Sequence, residues 1–384
     1  MLKDYSNCCG CRACEYICPT NAISFSIHDD TFMYPEVDTL KCIKCNKCEL
    51  ICDWKNKKEK DCNVISAYGF KHKENSVLKN STSGGTFTAL SDYVLENNGV
   101  IFGAVMHDDF SVCYEVASNK TDRNKMRGSK YVQCDMKDVF KNIKIYLDSG
   151  KLVLFVGTPC QVASVKNVFK KEYDNLVLVD FLCHGVNSNK MLIDHIKWLE
   201  IKYNHEIAIY EFRPKDLTWT SSAAAITFKG KKNKEFIIDT QQLYRLFSSN
   251  TLLRPSCYNC RYRTEHRYSD MTIADFWGYE EFYPNTDKTG LSLIFINSDV
   301  GNMIFKQIEY CGEVVKVPYF KIRHRIPLIP PKKSEWNDMF MEEYKNNGYE
   351  SSLLKFFPIS TKRRFRFLIK KLIRGYEAKR NNMV

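Results

Sequence analysis

Apolar and polar positions alternate from Ala22 to Ile27 and return over Thr31–Pro35, with Asp29-Asp30 between them. A period of two broken by an acidic turn predicts a small β-hairpin. Phe87, Leu90 and Val94 share one face at helical spacing, predicting a helix over 87–95. Strands follow at 100–105 and 113–117, then a helix near 135–148. Leu152–Val156 and Leu176–Leu182 are apolar runs of the kind buried on both faces of a sheet. A helix between them makes a strand–helix–strand unit, whose parallel strands end at one edge. Cys160 and Cys183, each just past its strand, should therefore be neighbours. The remaining pattern predicts strands at 207–212, 223–228, 235–239, 270–278, 291–297 and 313–317, with helices near 188–203, 241–249 and 299–310. Residues 63–80 read as an extended lead-in.

The cysteines change this picture at the N-terminus. Cys8-x2-Cys11-x2-Cys14-x3-Cys18-Pro19 recurs as Cys42-x2-Cys45-x2-Cys48-x3-Cys52. This is the bacterial ferredoxin arrangement, in which the fourth cysteine of each run ligates the other cluster. Cys8, Cys11, Cys14 and Cys52 are expected to hold one 4Fe–4S cluster, and Cys42, Cys45, Cys48 and Cys18 the second. Zinc knuckles or a disulfide scaffold are the alternatives, but zinc sites usually pair two C-x2-C units across a longer spacer. One departure stands out: Asp53 follows Cys52, where the full motif has proline.

Composition narrows the class. With 44% apolar and 27% charged residues, the chain can build packed cores. No apolar stretch approaches a membrane span and no signal region opens the sequence, so a cytoplasmic protein is expected. Seventeen cysteines in that setting point to metal ligation instead of disulfides. The net charge of +12 raises the question of nucleic acid. Residues 359–384 alone carry nine Lys or Arg and one acid, a net +8, so the excess is largely terminal and no nucleic-acid partner is expected. There Phe365, Leu368, Ile369, Leu372 and Ile373 form a stripe among basic residues. That suits peripheral contact with an anionic membrane at its inner face; a helix packed on the body is the alternative.

Three further groups of residues carry candidate chemistry. Ser83-Gly84-Gly85-Thr86 opens the helix at 87 and could cradle an anion on backbone N–H groups, or be only a cap and turn. Arg127-Gly128-Ser129-Lys130-Tyr131 suits phosphate contacts, or is solvated surface. Cys160, Cys183 and the pair Cys257-x2-Cys260 make four potential ligands. A third iron–sulfur cluster, a structural zinc, or a redox C-x2-C beside unrelated thiols all fit that spacing. Cys9, Cys62, Cys113, Cys134 and Cys311 have no motif partners and read as ordinary thiols.

Together with Gly157-Thr158-Pro159-Cys160-Gln161, Cys183-His184-Gly185 and Ser269–Gly278, these motifs resemble in order the β subunit of coenzyme F420-reducing hydrogenase and its relatives. The resemblance spans about residues 1–330, with a ferredoxin module in front. It implies an α+β protein: a ferredoxin-like two-cluster domain (1–60), a linker (61–80), a mixed α/β flavin-binding domain (81–335) and a C-terminal segment (336–384). It further implies FAD beside a third 4Fe–4S cluster on Cys160, Cys183, Cys257 and Cys260. Ser83, Gly84, Gly85 and Thr86 would meet the pyrophosphate, with Ser129 and Lys130 alongside. His184 and Asp275 become candidate proton donors, a loop-stabilising hydrogen bond being the alternative for each. The expected activity is an FAD- and iron–sulfur-dependent oxidoreductase served by a soluble ferredoxin or another redox partner, on a substrate the sequence does not specify. A link to surface-polysaccharide metabolism is implied by association only. A non-catalytic electron-transfer subunit is the alternative function.

Overall fold

The computed structural model describes residues 5–54, 64–169, 173–215, 223–284, 289–323 and 326–369. The expected charged linker after Trp54 and the tail beyond 369 lie outside them. Among the described residues there are twelve strands: β1 (Ile23–Ile27), β2 (Met33–Val37), β3 (Ser66–His72), β4 (Val100–Met106), β5 (Val112–Ala117), β6 (Val153–Gly157), β7 (Leu176–Phe181), β8 (Ile207–Glu211), β9 (Ala225–Phe228), β10 (Met271–Asp275), β11 (Ser292–Ile296) and β12 (Gly312–Val317). The predicted hairpin is β1–β2, paired antiparallel from Ile23 opposite Val37 to Ile27 opposite Met33.

The body is an eight-stranded sheet in the order β12-β3-β11-β10-β7-β6-β4-β5. The central neighbours β4, β6, β7 and β10 run parallel, and the flanking pairs are antiparallel. The apolar runs behave as their pattern demands. Val153 and Phe155 face one core while Leu154 joins the other, as expected for a strand buried on both sides. The helix Thr86–Glu96 and the helix Asp299–Ile308 cover one face. Val139–Asp148, Pro159–Val168 and Asn189–Tyr203 contribute to the core on the other. Ala13 and Ile51 of the cysteine-rich module join this second core, so the module is packed onto the sheet body.

Two expectations need correction. The stretch at 61–80 holds more than a linker, because β3 lies inside the sheet between β11 and β12. Residues 235–239 do not form a strand of the sheets: Glu235 makes an isolated bridge to Ile226, and Ile238–Gln241 is a 3₁₀ turn. The Thr240 hydroxyl donates to the carbonyls of Ile237 and Ala224 at 2.7 and 2.8 Å, closing the chain into that turn. Among the described residues no helix is long and apolar enough to cross a membrane.

Candidate functional site

The two cysteine runs fold with the same backbone device. In the first, Gly10 and Arg12 take left-handed conformations at φ 68° and 59°; in the second, Lys44 and Asn46 do so at 56° and 58°. Each run thus wraps back on itself before a short helix, Ala13–Tyr16 or Lys47–Ile51, that carries its third cysteine. Burial, followed by the neighbouring Cys11, Cys8 and Cys52 thiols, pushes the Cys14 thiol well up. Cys8 and Cys11 of run one and Cys52 of run two are thus all near Cys14. In the second run Cys48 neighbours Cys45, which is exposed. Cys18 is held by the Ala22 N–H at 3.3 Å.

Asp53 explains the missing proline. Its carboxylate, nearly buried, accepts hydrogen bonds from Tyr262 at 2.6 Å and Tyr268 at 3.2 Å, with Arg261 at 3.7 Å. A proline there would give up all three partners, which belong to the segment just after Cys260.

The four distant cysteines converge. The parallel pairing of β6 and β7 brings Cys160 and Cys183 to the same edge, and the loop of Cys257 and Cys260 closes over them. All four line one small cavity of about 40 Å³. Cys160 sits in the first turn of Pro159–Val168, behind a Thr158–Gln161 capping box. Hydrogen bonding from Cys9, and also from Thr158, pulls Cys160 down against burial. Burial pushes Cys183 well up and Cys257 up to about 12, and raises Cys260. Buried thiols of this kind ionise readily only against a bound cation, so the donor set fits a metal cluster. Among the described residues no three His, Cys, Asp or Glu side chains meet closely enough to grip a single ion; the thiols surround a space. Cys9, which the sequence gave no reason to single out, lines the same cavity, next to Cys11 and Cys160.

A second cavity of about 770 Å³ adjoins the first, sharing Thr158, Gln161, Cys183 and His184 with it. Ser83, Gly85, Thr86, Ser129, Lys130 and Asp275 also line it. Gly84 does not. A Cβ there would lie 2.1 Å from the Phe70 carbonyl oxygen and 2.5 Å from the Ser292 nitrogen, so glycine lets the turn lie flat on β3 and β11. Ser83 Oγ donates to the Leu291 carbonyl at 2.7 Å, which anchors the same turn. From Gly85, at φ 89°, the helix Thr86–Glu96 starts with no side-chain cap. The Thr86 hydroxyl is buried without a partner, as is the Arg127 Nε. Uncapped N–H groups, an orphaned hydroxyl and an orphaned guanidine nitrogen at one wall fit an anionic group.

The other predicted residues are partly committed. Ser129 donates from its N–H to Thr82 Oγ1 at 3.2 Å, joining the two loops at the cavity wall. Lys130 lies along the lining, but its Nζ donates to the carbonyls of Lys125, Met126 and Arg127, and burial pulls it down to about 8. Asp275 is ion-paired with Arg213 at 2.7 Å, and the same guanidinium donates to Tyr131. His184 is exposed at the cavity rim, with Nε2 2.7 Å from Asn250 Oδ1. Asn250 Nδ2 donates to the Lys332 carbonyl, which orients the amide. Nε2 must then carry the proton, leaving Nδ1 as the acceptor. Burial holds His184 below its usual range.

Fold and site together define an iron–sulfur redox subunit. Residues 67–141 match the coenzyme F420 hydrogenase/dehydrogenase beta subunit N-terminal family, and residues 150–319 match its C-terminal counterpart. Residues 1–24 match the 4Fe-4S binding domain. The chain belongs to the coenzyme F420 hydrogenase/dehydrogenase beta subunit family, with a 4Fe–4S module at its N-terminus. An uncharacterised protein of Methanocaldococcus jannaschii is 24% identical, over 81% of this chain and 89% of its own length. A chain of the xenon-derivatised F420-reducing [NiFe] hydrogenase complex from Methanosarcina barkeri is 17% identical with a TM-score of 0.45, covering 78% of this chain and 94% of that one.

Proposed function

We propose that the chain is a 4Fe–4S- and FAD-dependent oxidoreductase. Cys8, Cys11, Cys14 and Cys52 hold one cluster, Cys18, Cys42, Cys45 and Cys48 a second, and Cys160, Cys183, Cys257 and Cys260 a third. FAD occupies the large cavity, its pyrophosphate at Thr86 and Arg127. The observation that carries this reading is the shared wall: a cavity of four thiols opens onto a second one of about 770 Å³, within the size range of cofactor pockets. Bound there, FAD would supply hydride transfer and the clusters one-electron transfer. The protein's own part is to seat the anionic cofactor on uncapped N–H groups and to keep water from the four thiols. His184 Nδ1 is free to accept or relay a proton at the junction of the two cavities, whereas Asp275 orients Arg213.

The second run, with Cys45 exposed, is where a soluble ferredoxin or another redox partner delivers or takes electrons. In the tail, residues 361–369 are helical, with Phe365, Leu368 and Ile369 exposed beside Lys362, Arg363, Arg364 and Arg366. This supports contact with an anionic membrane; the rest of the stripe, Leu372 and Ile373, lies outside the described residues. Deleting 359–384 should abolish binding to anionic vesicles; binding by the truncated chain, or none by the full chain, contradicts it.

The reading is tested on anaerobically purified protein by metal and flavin analysis with the visible spectrum. It predicts about twelve irons, four for each cubane, and one FAD. Iron near eight with one zinc would replace the third cluster by a structural zinc, and absence of flavin would remove the oxidoreductase assignment. Full cofactor content with turnover only when a partner is added would make the chain an electron-transfer subunit.

A further inference from the structure

The loop of the first cysteine run and the loop of the four-cysteine cavity are fastened by one residue. Arg254 is 1% exposed. Its Nε donates to the Cys8 carbonyl at 2.6 Å, and one terminal nitrogen donates to the Met33 carbonyl at 2.9 Å while lying 3.8 Å from Cys8 Sγ. The other donates to Gln133 Oε1 at 2.7 Å, and Gln133 in turn donates to the Cys9 carbonyl at 2.9 Å. The rings of Tyr34 and Phe32 lie 4.4 and 5.2 Å from the guanidinium carbon. The backbone of the same residue faces the other way. Its N–H donates to the Val186 carbonyl at 2.9 Å, and its carbonyl accepts from the Cys257 N–H at 2.8 Å. Cys9, whose carbonyl Gln133 holds, lines the four-cysteine cavity and closes the seam.

We propose that Arg254 is a positioning residue for two cluster sites at once, its backbone fixing the Cys257 loop and its guanidinium fixing and tuning the Cys8–Cys11 loop, so that the two ligand sets meet at Cys9. This rests on the cluster assignment above and goes beyond it. A buried cation with an N–H near a ligating sulfur favours the more negative, reduced state of the cluster that Cys8 binds, and so raises its potential. The planar fork is needed for this, since it reaches two carbonyls, an amide and a thiol together. Lysine would keep the charge and lose most of those contacts.

The test uses the anaerobic holoprotein as wild type, Arg254→Gln and Arg254→Lys, with potentials followed by electron paramagnetic resonance. Cys45→Ser assigns the signal of the second run. Arg254→Gln should lower the potential of the first-run cluster and leave that of the second run in place. A chelator should strip iron from the first-run and four-cysteine sites about tenfold faster, with no change at the second run. Arg254→Lys should show the same faster iron loss with a smaller drop in potential, and it carries the test if Arg254→Gln does not fold. An unchanged first-run potential with unchanged iron retention in Arg254→Lys overturns the proposal, as does faster loss at one of the two sites alone. Wild type with far fewer than twelve irons would instead sink the cluster assignment itself, so the two failures are distinguishable.

Discussion

The two cysteine runs have the same spacing and the same pair of left-handed residues, yet they sit in opposite surroundings. Around the first, Arg12 is buried against Asp135 and Glu15, its Nη2 2.9 Å from Asp135 Oδ2, and lies 4.5 Å from the Phe25 ring. Tyr16 packs on Phe140, and the Thr31 hydroxyl meets that of Ser188 at 2.6 Å. Around the second, Leu40 is 97% exposed and Ile43 and Leu50 about two-thirds so. Repetition of a ligand motif therefore fixes the local wrap of the chain and nothing more. How deeply each run is buried is set by what its non-cysteine residues touch.

Substitutions at matched positions can break this comparison. The largest effect is expected where Asp53 ties the end of the second run to the body. Asp53→Pro restores the sequence motif but strands the Tyr262 hydroxyl and removes charged hydrogen bonds, at a cost of about 4 kcal/mol. It should appear as lost hydrogen-exchange protection in the helix Lys47–Ile51; a neutral Asp53→Pro would mean the docking contacts are incidental. Next, Arg12→Ala leaves Asp135 without its partner and should cost about 3 kcal/mol. The matched Asn46→Ala should cost only about 1 kcal/mol, the penalty of alanine in that left-handed conformation, both read from exchange in β1–β2. Equal effects would erase the distinction between the runs.

The smallest pair sharpens it by sign. A Cβ on Gly10 would lie 2.4 Å from Gln133 Nε2 and 3.0 Å from an Arg254 nitrogen, in a left-handed conformation. Gly10→Ala should therefore cost about 2 kcal/mol. Lys44 holds the same conformation exposed to solvent, and Lys44→Gly should be neutral or stabilise by about 0.5 kcal/mol. Thermal unfolding of the two variants side by side checks the opposed signs.

Much of this site was legible because covalent spacing and strand direction decide it. The meeting of Cys160 and Cys183 follows from a strand–helix–strand unit with apolar strands, whereas the crossed ligand pattern of the two runs is an expectation from their spacing. What escaped depended on contacts between distant segments. β3 has a glycine at its centre and ends in Lys71 and His72, both buried, so its composition disguised a strand inside the sheet. Phe236-Ile237-Ile238 has strand-forming residues, but the Thr240 hydroxyl bonds commit it to a turn. Asp53 looked like a flaw in a motif until Tyr262 and Tyr268 supplied its reason. Cys9 and Arg254 carry no pattern at all; only the docked module gives them partners. Gly84 and Ser83 matched a cofactor loop by sequence, yet their contacts first serve to press that turn against β11.

The central claim is that cysteines far apart in the chain form a third cluster site beside the flavin cavity. It is tested most directly by counting iron in anaerobically purified Cys257→Ser against wild type. Loss of about a third of the iron, with the two ferredoxin-type clusters retained, is the expected result. Iron content equal to wild type would contradict the assignment.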